Sequence, residues 1–214
     1  MENTSLTLLN RLRQANDVDA WQRLFGLYQP LLIVWLRKYD VQSADADDLA
    51  QDVLVSVSKN LVSFDHNGRS GAFRTWLRRI LVNRLRTFWR SRDRRPPTQG
   101  NSRFEERLAE LEDEASAMSQ MWNRQHDLYV LKKLLELSRP GFSPETWLAF
   151  TRVALHGERP DFVAKEIGMS LNAVFIAKSR VLSKLRAEAA GLVNSSTPSE
   201  RHRTEGLQQW LLVE

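Results

Sequence analysis

The sequence predicts an all-α chain of two small helical domains joined by a flexible linker, the second domain a helix-turn-helix. Three observations predict it. Apolar residues recur at three- and four-residue steps through most of the chain, the period of one buried helix face. Only nine glycines and seven prolines occur in 214 residues, with 42% hydrophobic and 27% charged, a composition of folded helical proteins rather than disordered ones. A polar stretch, PPTQGNSR at 96–103, then breaks the periodicity near the middle and leads into an acidic run. The expected division is a first domain at 1–95, a linker at 96–121, a second domain at 122–190 and a tail at 191–214.

In chain order, a first short helix is expected from about Leu6 to Gln14, and a second after Asn16 and Asp17. Trp21, Leu24, Phe25 and Tyr28 line one face of the second, with Pro30 near a break before Leu31, Leu32, Val34, Trp35 and Leu36. These are core positions. A third helix starts around Ser43, with Ala46, Leu49, Ala50, Val53, Leu54, Val57 and Leu61 as its apolar stripe. Asp45, Asp47, Asp48 and Asp52 cluster at its start, where acids complement the helix dipole. The loop SFDHNGRSG at 63–71 leads into the most informative stretch.

That stretch, AFRTWLRRILVNRLRTFWRSRDRR at 72–95, repeats Phe73, Trp76, Leu77, Ile80, Leu81, Leu85 and Phe88 at helical spacing. It carries nine arginines against one acid, Asp93, a net +8. Arginine suits bidentate phosphate contacts, and the interleaved Trp76, Phe88 and Trp89 offer surfaces on which unstacked bases can lie. Charge is segregated elsewhere too: residues 44–65 and 96–127 each carry −4, 66–95 carry +9 and 128–190 carry +4. Basic blocks fit a polyanion, and the acidic ones fit some other partner. Six of the acids lie between Glu105 and Glu114.

In the second domain, one helix holds Leu128, Val130, Leu131, Leu134, Leu135 and Leu137, and another begins at Ser143-Pro144-Glu145-Thr146, a cap followed by proline at the first helical position. Residues 161–186 then follow helix-turn-helix grammar: Val163, Ala164 and Ile167 on a first helix, Gly168 at the turn, Met169 in the corner, and Ser170 capping a second helix. Val174, Ala177, Val181 and Leu185 point inward from that second helix. Asn172, Ala173, Ile176, Ser179, Arg180 and Ser183 point outward, flanked by Lys184 and Arg186.

Several classes are excluded. There is no cysteine, hence no disulfide or thiolate metal site. No apolar run approaches the roughly 20 residues of a membrane span, and the N-terminus lacks the form of a signal peptide, so a cytoplasmic protein is expected. The four histidines have no metal-ligand spacing, and neither a phosphate-cradling glycine loop nor a nucleophile motif occurs. No enzyme and no cofactor are expected. An Mg²⁺ site at Asp47, Asp48 and Asp52 would want a second acidic motif, which is missing.

Together these segments resemble a sigma factor of the sigma-70 family, of the small extracytoplasmic-function type. DADDLAQDVL (45–54) looks like the family's polymerase-docking motif, FRTWLRRILVNRLRTFWRSRDRR (73–95) like its promoter-melting and downstream-box helix, and GERPDFVAKEIGMSLNAVFIAKSRVLSKLR (157–186) like its C-terminal helix-turn-helix. The resemblance implies a transcription initiation factor, with core RNA polymerase and promoter DNA, duplex and melted, as partners and an anti-sigma protein as a further candidate. It implies core polymerase contacts at Asp45, Asp48, Gln51 and Asp52. Contacts to the minus-10 box are expected at His66, Asn67, Trp76, Arg79, Asn83, Arg86 and Arg90, with Phe64, His66 and Asn67 free to form a pocket for a flipped base. Contacts to the minus-35 box are expected at Asn172, Ile176, Ser179, Arg180 and Lys184. The chain departs from the family where a Lys-Ser-Arg run is common and Phe175, Ile176 and Ala177 stand instead, so box preference does not transfer. The tail after Gly191 has no counterpart in the family pattern. A stand-alone helix-turn-helix regulator is the alternative.

Overall fold

The computed structural model describes residues 8–13, 17–64, 71–91 and 101–193. Among them every regular element is helical. None of these helices is long and apolar enough to cross a membrane. The chain divides into two compact units, one holding residues 8–130 with 191–193, the other 131–190.

In the first unit, α1 (Leu8–Leu12) buries its three leucines. The following helix, α2 (Val18–Lys38), is capped by Asp17, whose carboxylate accepts the Ala20 N–H at 2.9 Å and the Arg11 guanidinium at 2.8 and 2.9 Å. One side chain thereby starts α2 and ties α1 to it. Pro30 does not break this helix. Proline there removes one backbone bond, but Leu27, Tyr28, Leu31, Leu32, Trp35 and Leu36 are all buried on either side of it. Each such burial is worth about 1.5–3 kcal/mol, which outweighs the roughly 3 kcal/mol that an internal proline costs. The stop comes at Tyr39 and Asp40, the latter left-handed at φ 60°.

Against α2 packs α3 (Ser43–Asn60), whose Ala46, Leu49, Ala50, Val53, Leu54 and Val57 are buried as the stripe predicts. Packed on α3 is α4 (Ala72–Ser91), the arginine helix, burying Phe73, Leu77, Leu81, Val82 and Leu85.

Of the stretch expected as a linker, residues 101–121 are described, and they are helical but for one turn. Helix α5 (Asn101–Glu112) buries Phe104, Leu108 and Leu111, one face at helical spacing, and packs on α4. Phe104 meets the Trp89 ring edge-on at 5.9 Å and Tyr39 at 6.4 Å. A turn at 113–116 leads to α6 (Ala117–Ser138), and the Ser116 hydroxyl caps it by accepting the Ser119 N–H at 3.0 Å. Trp122, fully buried, packs edge-on to Trp35 at 4.7 Å. Glu105, Glu106, Glu110 and Glu112 lie off this apolar face, so it is masked by charge in the composition.

In the second unit, α7 (Pro144–Phe150) starts at Ser143, whose hydroxyl accepts the Thr146 N–H, and runs into a wider turn at Thr151–Leu155. Helix α8 (Pro160–Ile167) ends at Gly168, left-handed at φ 70°, and α9 (Leu171–Ala189) begins with Ser170 accepting the Ala173 N–H at 3.1 Å. Ala149, Val153, Val163, Ala164, Val174 and Ala177 form the core between these helices, with Ile167 and Met169 against it. Small residues at 164 and 177 let the helices approach closely.

Candidate nucleic-acid interface

Helix α4 carries two populations of arginine. Arg74 and Arg78 are in phase with Leu81 and Leu85, and both are buried. Each meets a partner on α6: Arg74 pairs with Asp127, and Arg78 Nη1 donates to Asn123 Oδ1 at 3.4 Å. The spacing of four on α4 is matched by a spacing of four on α6. Burial pulls the Arg78 pKa down from its ordinary value, opposed chiefly by the charge of Glu114. Asp127 also accepts from His126 Nδ1 at 2.9 Å, and His126 Nε2 lies 3.3 Å from the Tyr28 hydroxyl. Burial holds the His126 pKa below its ordinary value, opposed by Asp127. Burial pushes Asp127 the other way, but His126 and Arg74 overcome it and its carboxyl sits below the usual range. This network fixes the first turns of α4 against α2 and α6.

The outward population holds the sites expected to meet DNA. Arg79, Asn83 and Arg90 are exposed, Arg79 at 64%. Arg79 reaches Glu114 at 3.4 Å, a loose pair between two exposed groups. Arg86 is different: only 22% exposed, it takes Glu112 bidentately at 2.7 and 2.9 Å and Glu105 at 3.4 Å. The hydrogen bonds it donates to Glu112 push its pKa up. Thus Glu105 and Glu112 of α5 and Glu114 of the turn after it reach the basic face of α4. Arg84, which the residue pattern did not single out, bonds Ser56 of α3 at 2.9 and 2.5 Å, while Ser56 donates to the Asp52 carbonyl.

Trp76 is half-buried and stacked on Phe64, ring centroids 4.5 Å apart and planes 24° from parallel. Phe64 is buried at 8% exposure, edge-on to Phe73 at 5.9 Å, and its carbonyl accepts from Arg13. The expectation that Phe64 is free to form a base pocket is therefore corrected: three aromatics satisfy one another there. His66 and Asn67 lie outside the described residues.

On α3, Asp48, Gln51 and Asp52 are exposed and Asp45 is half-buried, because Ala46, Leu49, Ala50 and Val53 turn the opposite face to the core. Among the described residues no group of three acids or histidines converges as a metal site. On α9, Asn172, Ile176, Ser179, Arg180 and Lys184 are all exposed, and Lys184 lies 3.2 Å from Glu188. Glu188 is itself buried and accepts from Ser138 at 3.1 Å.

Residues 24–95, which run from α2 through α4, match the sigma-70 region 2 family. The match covers about a third of the chain, and the chain is also similar to proteins named as ECF RNA polymerase sigma-E factors. It is 33% identical over 96 residues to the ECF RNA polymerase sigma-E factor of Haemophilus influenzae, covering 45% of this chain and 48% of that protein. To the protein of the same name in Escherichia coli K12 it is 35% identical over 95 residues, covering 44% and 47%. The alignment thus spans just under half the length of these relatives.

Proposed function

We propose that this protein is a transcription initiation factor that binds core RNA polymerase and directs it to promoters. The observation that carries the reading is that the matched domain presents two opposite chemistries on adjacent helices: Asp48, Gln51 and Asp52 exposed on α3, and Arg79, Asn83 and Arg90 exposed on α4. Acids at a helix start are badly placed for DNA and well placed for a basic or amide-bearing protein surface. The arginine face suits the downstream, minus-10 box.

In this reading α4 binds the separated strands there. Unstacking a base costs a few kcal/mol, and a factor that does not hydrolyse ATP recovers it from contacts offered only by the open form. His66 and Asn67 are the proposed discriminators of a flipped base, while Arg79, Asn83, Arg86 and Arg90 hold the backbone. Neutralising about three phosphates of a single strand, one per arginine, gives a log-log salt slope of roughly −2. The second unit places α9 in the major groove of the minus-35 box, with Asn172, Ile176, Ser179, Arg180 and Lys184 outward.

The test is run-off transcription with purified core polymerase on templates carrying randomised upstream and downstream boxes, with and without a pre-melted bubble. Selective, factor-dependent transcripts support the reading. Sequence-selective duplex binding with no affinity for core polymerase would establish the stand-alone regulator instead.

A further inference from the structure

Helix α9 has a finished inner face. Val174, Ala177, Val181 and Leu185 are buried, and Val174 and Ala177 enter a core closed by Ala149, Val153, Val163 and Ala164. Phe175 and Ile176 take no part in it, standing 49% and 48% exposed on the first two turns of the helix. Large apolar side chains held in water at half their surface, on a helix whose core is complete, call for an occupant.

The surrounding charge selects that occupant. From Leu171 to Arg186 the helix carries Lys178, Arg180, Lys184 and Arg186 and no acid. Asn172 lies one turn before Phe175 and Ile176 and Ser179 one turn after, both exposed. An apolar pair framed by hydrogen-bonding side chains and cations matches the major groove of duplex DNA, where phosphates line the walls and the thymine C5-methyl is the apolar feature of the floor. We infer that Phe175 and Ile176 read thymine methyl groups in the upstream box, and that this box contains thymine at the positions beneath the first turns of α9. The inference rests on the proposed role of the second unit and adds the base chemistry that it recognises.

The experiment uses the full chain with core polymerase. Promoter fragments with a randomised upstream box are selected for binding, and the winners are remade with deoxyuridine, which lacks only the methyl group, or 5-bromodeoxyuridine, whose bromine fills the methyl's place. The expected result is enrichment of thymine, a loss of about three- to tenfold on deoxyuridine substitution, and recovery with bromine. Replacing Phe175→Ser and Ile176→Ser together should abolish the difference between thymine and uracil, with helicity unchanged because both side chains are exposed. Arg180→Ala should weaken both forms equally and leave that difference intact. Equal binding of the thymine and uracil forms by the unaltered protein overturns the inference while leaving duplex recognition standing. So does a Phe175→Ser, Ile176→Ser protein whose only defect is weaker binding to core polymerase, which makes the pair a protein contact. Absence of any upstream selection overturns the role of the second unit and the inference with it.

Discussion

Arg86 and Glu112 lie side by side, two parallel hydrogen bonds of 2.7 and 2.9 Å joining the outward face of α4 to the last turn of α5. Glu105, seven residues earlier and on the same side of α5, reaches the same guanidinium at 3.4 Å. A side chain proposed to hold nucleic acid is thereby held by two carboxylates. Any strand that uses Arg86 competes with them.

The competition is measurable. Replacing Glu105→Gln and Glu112→Gln together should raise the affinity of the full chain for a single-stranded promoter segment by about three- to tenfold, since partly exposed pairs are worth up to about 1 kcal/mol each. Fluorescence anisotropy at low salt checks it, and the gain should shrink as ionic strength rises. An unchanged affinity at low salt would mean that the strand does not use Arg86.

The acidic start of α3 gives a second expectation. Asp48→Lys with Asp52→Lys should abolish binding to core polymerase while circular dichroism stays that of the unaltered protein, because both side chains are exposed. Retained core affinity would place the docking surface elsewhere.

Gly71, directly before α4, has φ 75°, and a Cβ there would stand 2.8 Å from Arg74 Cζ. Arg74 cannot simply move aside, being paired with Asp127. Gly71→Ala should therefore lower stability by about 1–3 kcal/mol. Thermal melting measures this. A midpoint equal to that of the unaltered protein would show that the turn adapts at no cost.

The buried network beneath α4 sets a pH dependence. His126 is packed among Tyr28 of α2, Arg74 of α4 and Trp122 and Asp127 of α6, and burial depresses its pKa. It is neutral in the folded protein over a range where the unfolded chain is protonated, so acid favours unfolding. Stability should be fully present above the ordinary histidine value of about 6.5 and fall as pH drops below it. Asp127, depressed as well, extends the loss to still lower pH. Denaturant unfolding at a series of pH values, compared with His126→Gln, checks the assignment: between about pH 5 and 6.5 the variant should show a flatter profile. An identical slope would rule His126 out.

Much of this was legible from spacing alone. The stripe Ala46 to Val57 and the packed residues of α9 needed only the helical period, and Ser143 and Ser170 marked helix starts by their chemistry. Two kinds of feature were not legible. Arg74 and Arg78 read as part of a basic face because charge is assigned to solvent by default, although their phase with Leu81 and Leu85, and the matching step from Asn123 to Asp127, was present in the residues. Pairing between segments some fifty residues apart is not carried by local pattern. Likewise Phe104, Leu108 and Leu111 were hidden among six acids, and the role of those acids depends on what α4 places opposite them.

The two arginine populations of α4 imply different tolerance to change. At Arg90, exposed at the end of the helix, a lysine keeps the charge and loses only the fork geometry, so drift between the two residue types should be common among homologous chains. At Arg74 and Arg78, buried and aimed at single partners on α6, a lysine is too short a donor set and too strongly hydrated to take the place. An inventory of homologues should therefore show arginine retained at the two inward positions even in chains whose outward charges have been reshuffled.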